Sequence, residues 1–269
     1  MTLQAAALRW RALARAAVVV EVTTTKGSVP RESGTRMLVA ADEVLGSVGG
    51  GHLELLAIAQ ARRMLTTNAS APQQTPQETY YPLGPKLGQC CGGALTLRFT
   101  PLATDEPAAW AQPAPRFHLQ LYGAGHVGRA IVKLLEGIDC RVAWIDERED
   151  QFPHDELPPH IQQVCVEPVQ AEVAIAPPGA MFLVLTHSHD LDLAITEAIL
   201  KRGDFAFAGL IGSKTKAARF RHRFEARGIS AALIDRLHCP IGLPGIEGKE
   251  PEVIAVAVVA QLLSLAPPA

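Results

Sequence analysis

The features that would assign this chain to several common protein classes are scarce or absent. Only five of its 269 residues are cysteines. They are odd in number and scattered apart from one adjacent pair, which does not fit the disulfide framework of small secreted proteins. The net charge is −2, without a block of like charges. This argues against nucleic acid as a partner and against a polybasic membrane patch.

Long uninterrupted hydrophobic runs are also missing. The opening segment MTLQAAALRWRALARA lacks the basic flank and following apolar run that a secretory signal needs. The apolar stretch from Val253 to Ala266 is broken by Gln261 and is too short to span a bilayer. With 48% hydrophobic residues, the chain can still build a packed core in each of two domains. We therefore expect a soluble, cytoplasmic protein with no membrane partner.

The pattern of helices and strands changes near the middle of the chain. Residues 1–104 mix helical periodicity with strand-like runs such as AAVVVEVTT and ALTLRFT, which predicts a small α+β domain. Residues 105–116 are rich in proline and lack periodicity, so they are predicted to be a linker. In residues 117–269 strands alternate with helices, as parallel strands require. The predicted fold class is α/β, with a smaller N-terminal α+β domain.

Cys90 and Cys91 stand side by side in the glycine-rich run LGPKLGQCCGG. Because glycine adds no side chain, the backbone here can turn tightly and let a bulky ligand come close. The two thiols are therefore candidates for a site where sulfur meets a ligand. The alternative is that both pack as small buried side chains beside a strand. Adjacent cysteines rarely bridge to each other, because the small ring strains the peptide bond between them.

Gly123, Gly125 and Gly128 form a G-x-G-x-x-G loop between a strand-like and a helical segment, and Asp146 ends the next predicted strand. In such loops the glycines permit the turn, the approach of a pyrophosphate and close helix packing. The helix start offers N–H groups to an anion, and Asp146 is placed to accept hydrogen bonds from a ribose. The pattern predicts a Rossmann-like domain with a candidate nucleotide site. His126, inside the loop, could crowd a dinucleotide or serve another phosphate-bearing ligand.

The segment THSHDLD follows the apolar strand MFLVL. His187 and His189, with carboxylates close by, could supply the ligands of a zinc site. The sequence nevertheless departs from the HxHxDH metal motif that it partly resembles, because the aspartate and third histidine are missing from their places. The favoured interpretation is a strand-end loop in which Asp190 or Asp192 caps the next helix. A non-metal ligand role stays open, since the carboxyl ends of parallel strands bind ligands.

Other glycine-rich turns have both a binding and a structural interpretation. Gly49, Gly50 and Gly51 precede a helix and could wrap an anionic group or form a tight corner. In GLIGSKTK, the backbone before the next helix could hold an anion, and Ser213 or Thr215 could instead serve only as the helix cap.

Taken in chain order, seven segments resemble the XdhC/CoxI family, which comprises accessory proteins of xanthine dehydrogenase and related molybdenum hydroxylases. They are TTKGSVPRESGTRMLV, GSVGGGHLE, LGPKLGQCCGG, YGAGHVGRA, THSHDLDLA, LIGSKTKAARF and IGLPGIEGKEPEVIAVAVVAQLL. The resemblance runs from about the first strand to the last helix and depends on several motifs.

The resemblance implies a chaperone, not an enzyme, that binds molybdenum cofactor (molybdopterin) and is generally dimeric. It implies that a cysteine desulfurase partner replaces an oxo ligand by sulfido before the cofactor passes to the molybdenum subunit of xanthine dehydrogenase or a related enzyme. The family's cofactor-binding cysteine falls in the motif matched by Gln89, Cys90 and Cys91, so Cys90 or Cys91 is expected to contact the molybdenum. Thiolate suits a metal that prefers soft ligands, and a glycine loop at a helix start suits the pterin phosphate.

Three other functions stay open, and two of them have support in a motif. GAGHVG and Asp146 would suit an NAD(P)-dependent oxidoreductase, although no residue stands out as its catalytic acid or base. THSHDLD would suit a metal-dependent hydrolase. A pure scaffold would bridge desulfurase and dehydrogenase without holding the cofactor.

Overall fold

The computed structural model describes residues 2–67, 75–83, 92–110 and 114–266. The chain divides into two units, Met1–Gln112 and Pro113–Ala269. The first unit is built on an antiparallel sheet and the second on a parallel sheet of six strands. The predicted fold class is therefore confirmed.

In its described residues, the first unit places two α-helices around a five-stranded sheet. Its elements are α1 (Leu3–Ala12), β1 (Ala17–Lys26), β2 (Arg36–Ala40), β3 (Val44–Gly46), α2 (Gly51–Thr67), β4 (Gln77–Pro82) and β5 (Ala94–Pro101). The strand order is β3-β2-β1-β5-β4, and all neighbours are antiparallel. The longest strand, β1, lies at the centre.

The apolar start of β1 follows from cover on both faces of the sheet. Successive side chains of a strand point to opposite faces. Val18 and Val20 belong to the core that includes α2, whereas Ala17 and Val19 belong to the core that includes α1. Further along, Glu21 is only partly covered and pairs with Arg36 of β2. A run of valines therefore marks the part of the strand that is buried twice.

Residues 105–110 pack against the first unit. Pro107 is buried, and its carbonyl oxygen accepts a hydrogen bond of 2.8 Å from Gln4 Nε2 of α1. The indole N–H of Trp110 donates to Asp105 Oδ1 at 2.6 Å. The beginning of the segment predicted as a linker is thus held by α1 and by its own hydrogen bonds.

The second unit is a doubly wound sheet. Its elements are β6 (His118–Tyr122), α3 (His126–Leu135), β7 (Arg141–Asp146), β8 (Ile161–Cys165), β9 (Met181–Val184), α4 (His189–Arg202), β10 (Phe207–Leu210), α5 (Lys214–Ala226), α6 (Ala231–Ile234), β11 (Leu237–His238) and α7 (Pro251–Leu265). The strand order is β11-β10-β9-β6-β7-β8, and all neighbours are parallel. Helices α3 and α7 contribute to the core on one face, and α4 and α5 contribute to the other.

This strand order fixes where ligands are expected. The chain runs outward from β6 to β8 and then returns to β9 on the other side of β6, so the direction of winding reverses between β6 and β9. In such sheets the crevice beyond the carboxyl ends of the strands at this reversal is the usual ligand position. The loops after β6 and β9 are GAGHVG and THSHDLD, the two motifs selected from the sequence.

Two crossovers depart from the α-helical pattern. Between β7 and β8 the chain forms only a short 3₁₀-helix, Glu149–Gln151. Between β8 and β9 the chain forms a 3₁₀-helix, Val169–Ile175, which buries Val169 and Val173 but leaves Ile175 72% exposed.

Among the helices in the described part of the chain, none has the length and apolar character needed to cross a membrane.

Candidate functional site

The predicted cofactor residues Gln89, Cys90 and Cys91 lie outside the described residues. The described residues on either side of this stretch are fixed to the first unit. The N–H of Leu83 donates to the carbonyl oxygen of Gly93 at 2.8 Å, and Leu83 is buried in the core that contains β1 and α2.

Gly93 packs directly on the turn that follows β1. A Cβ at Gly93 would lie 2.3 Å from the carbonyl oxygen of Ser28 and 2.5 Å from that of Lys26. Gly27, in the same turn, has a φ of +71°, where side chains are disfavoured. Two glycines thus let the backbone at the end of the cysteine motif meet the KGSVP turn.

The GSVGGGH segment meets the same turn from another direction. Gly49 has a φ of +134°, and a Cβ there would lie 2.4 Å from Cγ of Pro30. Gly27, Gly49 and Gly93, together called the glycine cluster, therefore join three sequence motifs at one place in the first unit. The sequence placed these motifs far apart and gave no sign that they meet.

The anion that the glycine run before α2 binds comes from the protein itself. Oε2 of Glu54 accepts hydrogen bonds from the Ser47 hydroxyl and from the N–H groups of Val48 and Gly50, the latter two at 3.1 Å. Both interpretations of this glycine run are therefore partly correct. The loop wraps an anion, but the anion is a carboxylate of α2, so the loop is also a structural corner.

The Gly123 loop has the geometry that its sequence predicted. Gly123 has a φ of +120°, and a Cβ there would lie 2.3 Å from the carbonyl oxygen of Leu185. A Cβ at Gly128 would lie 2.1 Å from the carbonyl oxygen of Gly123, whereas one at Gly125 would meet nothing within 4 Å. The first and third glycines are needed for packing, and the second faces open space. Gly125 is also the N-cap of α3, and no side chain caps this helix start.

Asp146 has partners other than a ribose. Its Oδ2 accepts from the N–H of Ala124 at 2.7 Å and from Arg148 Nη2 at 3.0 Å. Its Oδ1 accepts from the N–H and Nε of Arg148, each at 3.0 Å. A carboxylate has about four acceptor positions, so all are used. A ribose could bind Asp146 only if Arg148 or Ala124 gave up its bond.

The pKa of Asp146 reflects these contacts. Burial raises it, but the hydrogen bonds from the Arg148 side chain and from the N–H groups of Ala124 and Arg148 outweigh burial, so the pKa lies below its usual range. The carboxylate therefore stays charged and holds the Gly123 loop to the end of β7.

THSHDLD and GLIGSKTK act on each other. Asp192 Oδ1 accepts from the N–H and hydroxyl of Thr186, at 3.0 and 2.7 Å, and its Oδ2 pairs with Lys216 Nζ at 2.5 Å. Lys216 also donates to the carbonyl oxygen of Ile211 at 2.8 Å. Asp192 is 1% exposed. A buried ion pair thus connects the loops after β9 and β10, which are separate motifs in the sequence.

The cap of α4 is not one of the predicted aspartates. Ser188 is the N-cap, and its hydroxyl oxygen accepts from the N–H of Leu191. The expectation of Asp190 or Asp192 was wrong, because Asp192 turns back to Thr186 and Lys216. Of the two candidate caps of α5, Ser213 and Thr215, Ser213 is the N-cap.

A histidine of the same loop contacts a carboxylate of another loop. His187 Nε2 lies 3.6 Å from Glu147 Oε1, a contact between the loops after β9 and β7. Within the described ranges, no group of three or more His, Cys, Asp or Glu side chains is placed to hold a metal ion. A zinc hydrolase therefore gains no support there.

Two family models match the chain. The one described as the XdhC Rossmann domain matches residues 119–262, more than half of the chain, and the one described as the XdhC and CoxI family matches residues 10–80. The chain belongs to the XdhC and CoxI family.

Two individual proteins are also similar to this chain. The crystal structure of a xanthine dehydrogenase from Bacillus halodurans matches with a TM-score of 0.75 at 20% identity, over 98% of this chain and 96% of that chain, which shows a shared fold. The uncharacterized protein YqeB of Escherichia coli K12 is 30% identical over 260 residues. That match covers 92% of this chain and 43% of YqeB, so the chain spans less than half the length of this relative.

Some candidate site residues of this member of the XdhC and CoxI family lie within the ranges that the family models match, and others lie outside them. The glycine loop with Gly123, Gly125, His126 and Gly128, together with Asp146, lies within the XdhC Rossmann domain range. Cys90 and Cys91 lie between the two ranges. Their assignment still depends on the motif itself.

The contacts of Asp146 predict that its contribution to the stability of the second unit depends on pH. Because the folded pKa is lowered from 3.8, the stabilisation is complete above that value and is lost as the pH falls through the folded pKa. Asp146→Asn should therefore lower the free energy of unfolding of the second unit by about 2 kcal/mol at pH 7. In urea unfolding, the difference in free energy of unfolding between the wild type and this variant should shrink as the pH falls below 3.8. Asp155→Asn, at an exposed position, is the control, and a gap that stayed constant with pH would contradict this role of Asp146.

Proposed function

We propose that this chain is a molybdenum-cofactor-binding accessory protein that holds the cofactor for sulfuration and delivers it to xanthine dehydrogenase or a related molybdenum hydroxylase. The observation that carries the proposal is membership of the XdhC and CoxI family, matched in both units. The cysteine motif, with Gly93 seated on the KGSVP turn, supplies the chemistry.

Cys90 or Cys91 is proposed to contact the molybdenum or its dithiolene region. A cofactor carrier needs a soft ligand for the metal, and thiolate is the soft ligand among protein side chains. The ends of the motif are tied to the core through Leu83 and Gly93. Gly92 and Gly93 follow Cys91 directly in the sequence, so the motif ends at the glycine cluster.

The proposal includes an anion role for the second unit. The N–H groups at the start of α3 lie beside Gly125, which faces open space. Such helix starts attract phosphate. Gly123, Gly125, His126 and Gly128 thus remain the candidate phosphate loop.

The proposed partners are those expected of a member of this family. We propose that the chain binds the molybdenum subunit of xanthine dehydrogenase and a cysteine desulfurase, works as a cytoplasmic homodimer and carries out no turnover of its own. The desulfurase would supply the sulfur that replaces one oxo ligand of the molybdenum.

The experiment is metal and pterin analysis of protein isolated from a host that makes molybdenum cofactor. The wild-type chain should carry molybdenum and pterin together, and Cys90→Ala with Cys91→Ala should lose about tenfold or more of both, by analogy with the loss of other metal ligands and their supports. The single variants will show which thiol binds. Cys165→Ala, which removes an exposed thiol in the second unit, is the matched control.

Activation of apo-xanthine dehydrogenase by the same proteins is the second measurement. If the double variant retained cofactor and activated the enzyme as well as the wild type, the cysteine assignment would be wrong. If the wild type bound no cofactor yet still increased activation, the pure scaffold would be correct.

The geometry of the Gly123 loop favours one alternative, an NAD(P)-dependent oxidoreductase. The four bonds already made by Asp146 count against it, because they occupy the acceptor expected to hold the ribose. Calorimetric titration with NAD(P) separates the two functions. Tight, saturable binding with turnover would favour the oxidoreductase.

A further inference from the structure

A groove opens between the starts of α4 and α5, beyond the carboxyl ends of β9 and β10. It consists of two cavities of about 320 and 220 Å³. Both cavities are lined by His189, Ser213 and Lys216, which places them side by side. We call this space the α4–α5 groove. It lies one strand away from the Gly123 loop and contains none of the glycines of that loop.

The charges of the α4–α5 groove leave an excess of positive charge. Asp192 is neutralised by Lys216, and Asp190 lies 3.7 Å from Arg223. Arg219 lines the smaller cavity, and no carboxylate pairs with it within the described part of the chain. An anion is therefore the ligand that the groove fits by charge.

The buried pair gives Lys216 a fixed orientation. Its side chain is 11% exposed, yet it lines both cavities. Two of its three protons go to Asp192 and to the Ile211 carbonyl oxygen, which leaves one donor. Buried ion pairs contribute little net stability, because desolvation offsets their attraction. A pair of this kind is better explained by holding an ammonium group at the wall of the groove.

The neighbouring backbone adds to the positive potential. Ser188 and Ser213 cap the two helices, and the first-turn N–H groups beyond the capped ones have no partner within the helix. Both helix starts carry partial positive charge at the same groove. The two cavities, the guanidinium of Arg219, the oriented ammonium of Lys216 and the helix starts all favour an anionic ligand.

We propose that the α4–α5 groove binds the phosphate group of a phosphorylated small molecule, with Arg219 and Lys216 as its cationic contacts. This site is separate from the proposed cysteine site and does not depend on it. The phosphate would accept hydrogen bonds from the guanidinium of Arg219 and from the remaining donor of Lys216. The larger cavity beside Thr186 and His187 would take the rest of the molecule.

The test is titration of the full chain with ribose 5-phosphate, ribose and inorganic phosphate at matched ionic strength, followed by amide NMR shifts. Ribose 5-phosphate should give saturable shifts in residues 213–219, and ribose should give none. Arg219→Gln should weaken binding about tenfold, the usual effect of losing one charge-assisted hydrogen bond. Arg221→Gln should not, since Arg221 lies on the same helix but pairs with Asp235 and lines neither cavity.

Several results would overturn the proposal. Equal weakening by Arg219→Gln and Arg221→Gln would indicate general charge attraction. Shifts confined to residues 123–129 would assign the phosphate to the Gly123 loop. Inorganic phosphate that bound as tightly as ribose 5-phosphate would show a site for the free ion. Because cysteine variants do not enter this experiment, its failure leaves the molybdenum proposal untouched.

Discussion

Gly128→Ala is expected to destabilise the second unit strongly while the stability of the first unit stays unchanged. The added Cβ would lie 2.1 Å from the carbonyl oxygen of Gly123 and 3.3 Å from Cδ1 of Leu185. The nearer atom is backbone, so no side-chain rotation relieves the clash. Gly123 cannot retreat either, because it already packs on the carbonyl group of Leu185 with a φ of +120°.

The expected cost is at or above the upper end for overpacked sites, about 3 kcal/mol. Such a loss is a large share of the stability of an ordinary domain, roughly 5–15 kcal/mol. Because the hydrophobic cores of the two units share no residue, calorimetry should show a lowered transition for the second unit only. Gly125→Ala is the matched control, since its Cβ meets nothing within 4 Å and its φ is −73°. Similar shifts for both variants would contradict the packing role of Gly128.

Lys216→Met should destabilise the second unit by about 3–5 kcal/mol, the usual result of leaving one partner of a buried ion pair uncompensated. The carboxylate of Asp192, 1% exposed, would keep its bonds to Thr186 but lose its counter-charge. Urea unfolding of the variant should show the loss as a lower midpoint.

The double variant Asp192→Asn with Lys216→Met makes this prediction specific. The introduced asparagine would carry no charge, and its amide oxygen could still accept from the N–H and hydroxyl of Thr186, which now bind Oδ1 of Asp192. The double variant should therefore recover most of the stability lost by Lys216→Met, as a coupled pair requires. If the two losses simply added, the ion pair would not be the source of the effect.

Elements that bury a regular face could be predicted from the sequence. Strand β5 and helix α3 are examples, because their apolar residues repeat with the period of the element. Strands β4 and β8 were not predicted. Each lies at a sheet edge, and in each only one residue is buried, Tyr81 in β4 and Ile161 in β8. Their neighbours β5 and β7 stabilise them through the sheet, and no local pattern reports such pairing.

The candidate sites divide in the same way. The roles of Gly123 and Gly128 could be predicted because they depend on one strand, one turn and one helix that are adjacent in sequence. The partners of Asp146 and Asp192 could not be predicted. Arg148 binds the carboxylate that was expected to hold a ribose. Lys216 binds a carboxylate that was expected to cap a helix. Glu54 shows the same limit, because its bonds to Ser47 and Val48 depend on how the preceding loop folds.

The carboxylates that fill the glycine loops have a consequence for dynamics. Glycine-rich loops usually fluctuate locally, because glycine restricts the backbone least. Here Glu54 holds the loop before α2 and Asp146 holds the loop before α3, each through hydrogen bonds to backbone N–H groups. Opening either loop requires breaking charge-assisted hydrogen bonds to a carboxylate of α2 or to the carboxylate at the end of β7. These loops therefore belong to the cooperative folding unit of their cores and move when that unit opens, not independently of it.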